Sequence, residues 1–333
     1  MRHAPVSAPR STSGAPRMSA AHVWAVFSTF RPGEAALDAV ASVTAQVEGV
    51  IVVDDGSGPA ADAVLSALEA GGVTVVRRGA NDGIAAALND GIDRAREAGA
   101  EFVVTFDQDS WVGPGFVSAL VAAHDAATAA GDRVGLIVPE HFAGVRQQRG
   151  PVAPFGDAVN VIQSGMLIPA SVIAAEGALR EDFFIDLVDT EFELRLRRRG
   201  WRVLAAGGVR MEHALGTKYR RELFGRTVAL PGIPPEITLS TPFRYFYRLR
   251  NRLVLNREYF VSAPRQIARD SLLDGIHFVN AAWVARPRRA LLRLYRAAFV
   301  AALRGRMGRM PAALAPIAAE IRWSAPVIES EQR

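Results

Sequence analysis

Cysteine is absent from all 333 residues, which excludes disulfides and thiolate metal sites and fits a reducing compartment. Any metal must then be held by Asp, Glu or one of six histidines, a donor set suited to Mn²⁺ or Mg²⁺ rather than to structural zinc. No run approaches the roughly 18–20 apolar residues that cross a bilayer. The opening MRHAPVSAPRSTSGAPRMSA is positively charged but lacks the apolar centre of a secretory signal, so residues 1–20 read as a disordered leader. The expected location is the cytoplasm, with attachment to a membrane surface left open. Neither the Walker A pattern nor the GxGxxG dinucleotide fingerprint occurs, and there is no internal repeat.

What is present is a core-forming composition, half of it hydrophobic, in a chain long enough for one large α/β domain with an appendage. Short apolar runs at Val23–Ser28, Val50–Val53, Val73–Val76, Phe102–Phe106 and Val134–Val138 read as strands. Between them Glu34–Ala45, Ala60–Ala70, Ile84–Ala98 and Phe116–Ala129 read as amphipathic helices. Such alternation predicts a mainly parallel sheet covered on both faces, with ligands at the carboxyl ends of its strands. The polar signatures fall at those ends: STFRPG, DDGSG, NDG and DQDS.

Each signature has a plain reading beside a chemical one. In VVDDGSG, Asp54 ends a strand; it suits a turn, and an ionised carboxylate there can also accept the imide N–H of uracil or thymine. In NDGIAAALNDGI, the glycine and alanines permit either tight helix packing or a close backbone approach to a ligand. In DQDS, residues 107 and 109 of an extended segment point to one side, where two carboxylates can share a divalent cation with a diphosphate. FFIDLVDTEFELR gathers Asp186, Asp189, Glu191 and Glu193, either as acids favouring a helix start or as a source of a general base. The segment Thr190–Arg199 reads as that helix, with Thr190 as N-cap and Glu193 completing a capping box. AVNVIQSGMLIPA reads as a strand containing Ser164-Gly165, WRVL as another, and His213 follows as either a structural residue or a metal ligand.

The charge is uneven. Between Thr241 and Met310 there are 15 arginines, no lysine and three acids, a balance that suits nucleic acid, anionic lipid or an acidic substrate. Residues 241–333 read as a helical extension to a catalytic part over 21–240. In Arg288–Arg306, Leu291, Leu292, Tyr295, Ala298, Phe299, Ala302 and Leu303 share a face opposite Arg289, Arg293, Arg296 and Arg304. That pattern suits a helix packed on the domain or one lying on a membrane.

Taken in order, FSTFRP, VVDDGS, NDGIAAALNDGI, FDQDS, SGMLI, FFIDLVDTEFELRLRRRGWRV, HALG and RYFYRLRNRLVL resemble family 2 glycosyltransferases of the GT-A-type fold. The resemblance spans about residues 22–260 and is nearest to the bacterial rhamnosyltransferase branch and its galactofuranosyltransferase relatives. It implies a nucleotide-diphosphate pocket lined by Thr29 and Arg31, a base met by Asp54, and a donor lying along Asn81 and Gly83. It implies a metal- and ribose-binding triplet at Asp107 and Asp109 completed by His213, with Mn²⁺ or Mg²⁺ as cofactor. Asp189 matches the catalytic base, Glu191 lies nearby, and Asp186 competes with it because the acidic cluster permits a shifted alignment. The implied reaction is an inverting transfer of a sugar, L-rhamnose from dTDP-rhamnose, to a glycan or lipid-linked glycan in cell-surface polysaccharide synthesis. A UDP-galactofuranose or other UDP-hexose donor is the rival. A nucleic-acid-binding module is a rival of another class, but no recognised nucleic-acid motif occurs and no such partner is expected.

Overall fold

The structure, a computed structural model, describes residues 22–148, 154–213, 218–220, 222–223, 226–227 and 236–328. The leader read over residues 1–20 lies outside the described residues, as does much of the stretch after His213. Alternating apolar residues set up β1 (Val23–Thr29), β2 (Gly49–Asp54), β3 (Thr74–Arg77) and β4 (Phe102–Asp107). They are followed by β5 (Ser110–Trp111), β6 (Val134–Phe142), β7 (Val145–Arg146), β8 (Phe155–Asp157), β9 (Met166–Pro169) and β10 (Arg202–His213). These ten strands form one sheet, ordered β3-β2-β1-β4-β9-β6-β10-β5, with β7 beside β6 and β8 beside β10. The run β3-β2-β1-β4 is parallel, as is β6-β10, while β9 is antiparallel to both neighbours. The mainly parallel expectation holds, and β9 joins its two parallel parts.

Period-two alternation divides the strand residues between two cores. Val26, Ile51, Val53 and Val103 face α3 (Ile84–Glu97), while Ala25, Phe27, Val50 and Val52 face α1 (Ala35–Thr44), α2 (Asp62–Ala70) and α4 (Phe116–Ala129). Alanines bring α3 close to the sheet. A Cβ added at Gly91 would lie 2.4 Å from Val26 Cγ1, so this glycine is required by contact.

The helix read over Thr190–Arg199 begins two residues earlier, as α6 (Val188–Arg198), after the short α5 (Ala170–Glu176). Thr190 therefore sits inside the first turn and no capping box forms: the N-cap is Leu187 at φ 63°, with no side-chain cap. Glu193 is instead fully buried, accepting from Arg197, Gln266 and the Val161 N–H.

Beyond the sheet lie α7 (Arg244–Tyr259), α8 (Pro264–Val284), α9 (Arg288–Leu303) and α10 (Ala315–Glu320). They are not a detached tail, because Val254, Leu255, Tyr259 and Ile267 belong to the same core as α3 and α6. The face expected on α9 is corrected. The helix buries Ala290, Leu291, Leu294, Ala298, Ala301 and Ala302, and exposes Leu292, Phe299 and Leu303. Its buried stripe is turned roughly a quarter of a revolution from the one read by size, at 3.6 residues per turn. The reason is the alanines, which let α9 settle closely against α7, α8 and α10. Among the described residues no helix is long and apolar enough to cross a membrane.

Candidate active site

The sheet register sets the site. Thr29 pairs with Asp54 and Ser28 with Asp107, so the carboxyl ends of β2, β1 and β4 lie side by side. The loops that follow are laced together: the Phe30 N–H donates to Gln108 Oε1 (2.8 Å) and the Arg31 N–H to Ser57 Oγ (2.6 Å). Thr29 is buried, its hydroxyl 3.4 Å from the Val53 carbonyl. Asp54 is also buried, one oxygen accepting the Ser57 N–H (2.9 Å) and the other the Ser57 hydroxyl. Arg31 is exposed at φ 52°.

Asp55, to which sequence reasoning assigned no role, shapes the next loop. Its oxygens accept the N–H groups of Asp82 (3.0 Å) and Gly83 (2.8 Å), with Arg78 3.3 Å away. Burial pushes its carboxyl up, against those N–H donors and the guanidinium. Gly83 sits at φ 102°, where an added Cβ would be 2.3 Å from the Phe184 carbonyl oxygen. The tight-packing reading of this glycine is therefore realised, against the loop before α6. Asn81, two residues earlier, keeps its buried side-chain oxygen Oδ1 without a hydrogen-bond partner among the described residues.

Asp107, Asp109 and His213 converge, each offering a ligand atom within 4.8 Å of the others. The antiparallel pairing of β5 with β10 does this, setting His213 directly across from Ser110. Its Nδ1 lies 3.0 Å from Ser110 Oγ and 3.5 Å from Asp109 Oδ1. Ser110 Oγ in turn lies 2.8 Å from Ser164 Oγ, which accepts the Asp107 N–H at 2.9 Å. The Ser164-Gly165 turn thus braces the triplet from β9. Burial pushes the Asp107 carboxyl up to about 7, and the adjacent Asp109 adds to it. Burial lowers the His213 imidazole, which favours the neutral form a metal needs. Two crowded carboxylates and a neutral imidazole are donors that fit Mn²⁺ or Mg²⁺, whose charge would relieve the repulsion.

Asp189, in the first turn of α6, accepts the Thr190 N–H (2.7 Å) at Oδ1, with the Thr190 hydroxyl 3.3 Å away. Burial pushes its carboxyl up to about 6, against N–H donors from Thr190 and Gln163 and with Asp186 adding repulsion. Asp186 is differently placed, held at both oxygens by Arg244 (2.7 and 3.2 Å). Arg244 also feels Asp107 and Asp189, and Asp186 above all holds its guanidinium higher than usual. It is the site residue that sequence reasoning missed, since nothing in the spacing separates it from the 14 other arginines between 241 and 310. Glu191 is not brought into this cluster. It is buried, accepting from Tyr259 (2.7 Å) and Arg195 (3.1 Å).

The loop before α6 holds Phe184, Asp186 and Leu187 at φ 67°, 65° and 63°. For side chains other than glycine this geometry costs about 1–3 kcal/mol each. Fully buried Asn251 of α7 compensates: its amide nitrogen lies 3.1, 3.0 and 2.8 Å from the carbonyls of Phe183, Ile185 and Asp186. Neighbouring Arg250, also buried, donates to the carbonyls of Asp182 and Phe183 (3.2 and 2.9 Å). Asn251→Ala should lower stability by about 2 kcal/mol, because it leaves buried acceptors without a donor. Asn251→Asp should be worse, since it sets carboxylate oxygens against carbonyl oxygens. Denaturant titration of both variants checks the order; equal stability to the native chain would remove Asn251 as the clamp.

Comparison with known proteins gives a consistent picture. A model described as glycosyl transferase family 2 matches residues 26–160. The dTDP-rhamnosyl transferase RfbF of Shigella flexneri is 31% identical over 254 residues, covering 72% of this chain and 81% of RfbF. Among solved structures, GalNAc-T7 with UDP, GalNAc and Mn²⁺ is similar at a TM-score of 0.52 and 16% identity, over 74% of this chain. The match spans about half of that protein, 51% of its chain, and speaks for the fold alone. S. aureus TarS 1–349 in complex with UDP-GlcNAc is 14% identical, with a TM-score of 0.48, over 85% of this chain and 92% of its own.

Proposed function

Since the chain belongs to glycosyl transferase family 2 and has the GT-A-type fold, we propose that it moves L-rhamnose from dTDP-rhamnose to a hydroxyl of a glycan acceptor. The observation that carries this is the convergence of Asp107, Asp109 and His213 with Asp189 and Arg244 at the carboxyl ends of the sheet. The name of the 31%-identical relative supports dTDP-rhamnose as donor.

Asp189 takes the proton of the acceptor hydroxyl. The freed oxygen bonds to the anomeric carbon while the bond to the nucleotide diphosphate breaks on the opposite side, its electron pair leaving with dTDP. The configuration inverts and no covalent enzyme intermediate forms. Asp107, Asp109 and His213 would hold Mn²⁺ or Mg²⁺, which when bound neutralises charge on the departing diphosphate. Arg244, already bridging Asp186 and within the field of Asp107 and Asp189, supplies fixed positive charge to the same region. Thr29, Arg31, Asn81 and Gly83 line the donor. Asp54, oriented by Ser57, meets the base N–H. Asp186 is left to Arg244 and Glu191 to Tyr259, which favours Asp189 as the base. We assign residues 21–240 as the catalytic part, to which the arginine-rich helices of 241–333 add Arg244 from the start of α7. We place the acceptor on a lipid carrier at the cytoplasmic face of the plasma membrane, in cell-surface polysaccharide synthesis.

Calorimetric titration of dTDP and UDP, each with Mn²⁺ and with EDTA, tests the reading. A metal-dependent preference for dTDP is expected. Preference for UDP would move the donor to UDP-galactofuranose or another UDP-hexose, and binding of neither would overturn the proposal.

A further inference from the structure

The outer face of α8 carries Leu272, Leu273, Ile276, Val279 and Trp283 at 65, 52, 48, 68 and 51% exposure. Leu272, Ile276, Val279 and Trp283 follow one another at helical spacing and make a continuous stripe. The only acids between residues 260 and 303 are Asp270 and Asp274, and both are buried. Asp274 accepts from Arg248 (2.7 Å) and Arg252 (2.7 Å) on α7, so the helix turns its negative charge inward. Positive charge flanks the stripe at both ends. Exposed Arg265 precedes it, and exposed Arg286 and Arg288 follow it. The Arg288 guanidinium lies 5.1 Å from the centre of the Trp283 ring.

From these observations we infer that the outer face of α8 rests on an anionic bilayer surface, its apolar stripe among acyl chains and its terminal arginines on lipid phosphates. The charges select this occupant over a second copy of the chain. Two α8 faces brought together, in either direction, set arginine ends against arginine ends with no acid between them. The size argues the same way. From Leu272 to Trp283 the stripe runs roughly 17 Å at 1.5 Å per residue on a helix about 10 Å wide. A single helix face of that length falls short of the about 800 Å² of accessible surface that each partner buries in a stable protein interface. A bilayer needs no such area, because amphipathic helices bind it through apolar burial together with attraction to anionic lipid. Exposed Leu292, Phe299 and Leu303 on α9, among Arg289, Arg293 and Arg296, repeat the composition. This inference does not depend on which donor the enzyme uses.

The test is co-sedimentation of the full chain with vesicles of phosphatidylcholine alone and of phosphatidylcholine mixed with phosphatidylglycerol. Nucleotide binding is measured on the same samples. Binding to the mixed vesicles is expected, weakening as salt rises. Ile276→Glu and Val279→Glu should each reduce it about tenfold or more. The milder Val279→Ser and the pair Arg286→Gln with Arg288→Gln should reduce it while nucleotide binding stays unchanged. A native chain that ignores anionic vesicles would overturn the inference, as would Ser and Gln variants that bind as well as the native chain. A native dimer that Ile276→Glu splits into monomers would give the face to a second copy and overturn it too. Loss of nucleotide binding in the native chain would instead count against the transferase reading.

Discussion

Asp189→Asn should bind donor nucleotide as the native enzyme does and lose about 10²–10⁴-fold in turnover, the usual contribution of a positioned general base. The amide keeps the shape of the carboxylate and can still accept the Thr190 N–H at 2.7 Å, so α6 keeps its first turn. What it cannot do is take a proton. The pH profile provides a second reading. Burial pushes the Asp189 carboxyl from 3.8 to about 6, and a base works only when ionised, so native turnover should rise with pH through about 6. The variant's residual activity should lack that limb. Linkage has the opposite sign for stability. A carboxyl raised on folding resists ionisation in the native state, so its burden is absent below about 4 and fully felt above about 6. Asp189→Asn escapes that burden and should melt no lower than the native chain at pH 8. Turnover at the native level would move the base elsewhere, with Asp186 the next candidate once its hold on Arg244 is accounted for.

Asp109→Ala should abolish the metal dependence of nucleotide binding. With Mn²⁺ present the native enzyme should bind dTDP at least about 100-fold more tightly than the variant, since even indirect supports of a metal site cost 10–100-fold. Titrations with Mn²⁺ and with EDTA should then give the variant the same weak affinity. Asp109 is the member of the triplet to remove because its side chain is 41% exposed and its loss disturbs little packing. His213, by contrast, lies against the Phe142 ring at 4.8 Å and reaches Ser110, and the Asp107 carboxyl is the more enclosed of the two carboxyls. Loss of Asp109 should also ease the Asp107 carboxyl downward, since Asp109 is part of what raises it. Unchanged Mn²⁺-dependent binding in Asp109→Ala would place the metal elsewhere.

The two variants separate proton transfer from donor binding, and the residues involved differ in how far they could be read without coordinates. By itself the sequence determined the alternation of strands and helices, the mainly parallel sheet, and the strand ends where Thr29, Asp54 and Asp107 lie. These follow from periodicity, which is a property of each segment's own backbone, and from the rule that parallel strands present their carboxyl ends together. It did not determine how Asp107 and Asp109 meet, because β4 ends at Asp107 and Gln108 and Asp109 form a turn rather than the extended segment expected of DQDS. Only the tertiary structure separated the acids of FFIDLVDTEFELR by the partners they meet. Asp186 and Glu191 are matched by Arg244 and Tyr259, each from a helix more than fifty residues further along the chain. Only the tertiary structure placed His213 beside Ser110, 103 residues away, through a pairing of two short stretches that carry no mutual signal. It also decided the face of α9, where alanines chosen by neighbouring helices went inward and larger side chains stayed out. Local pattern reports what a segment can become, but a side chain's charge partner and burial depend on surfaces that exist only once distant segments have packed.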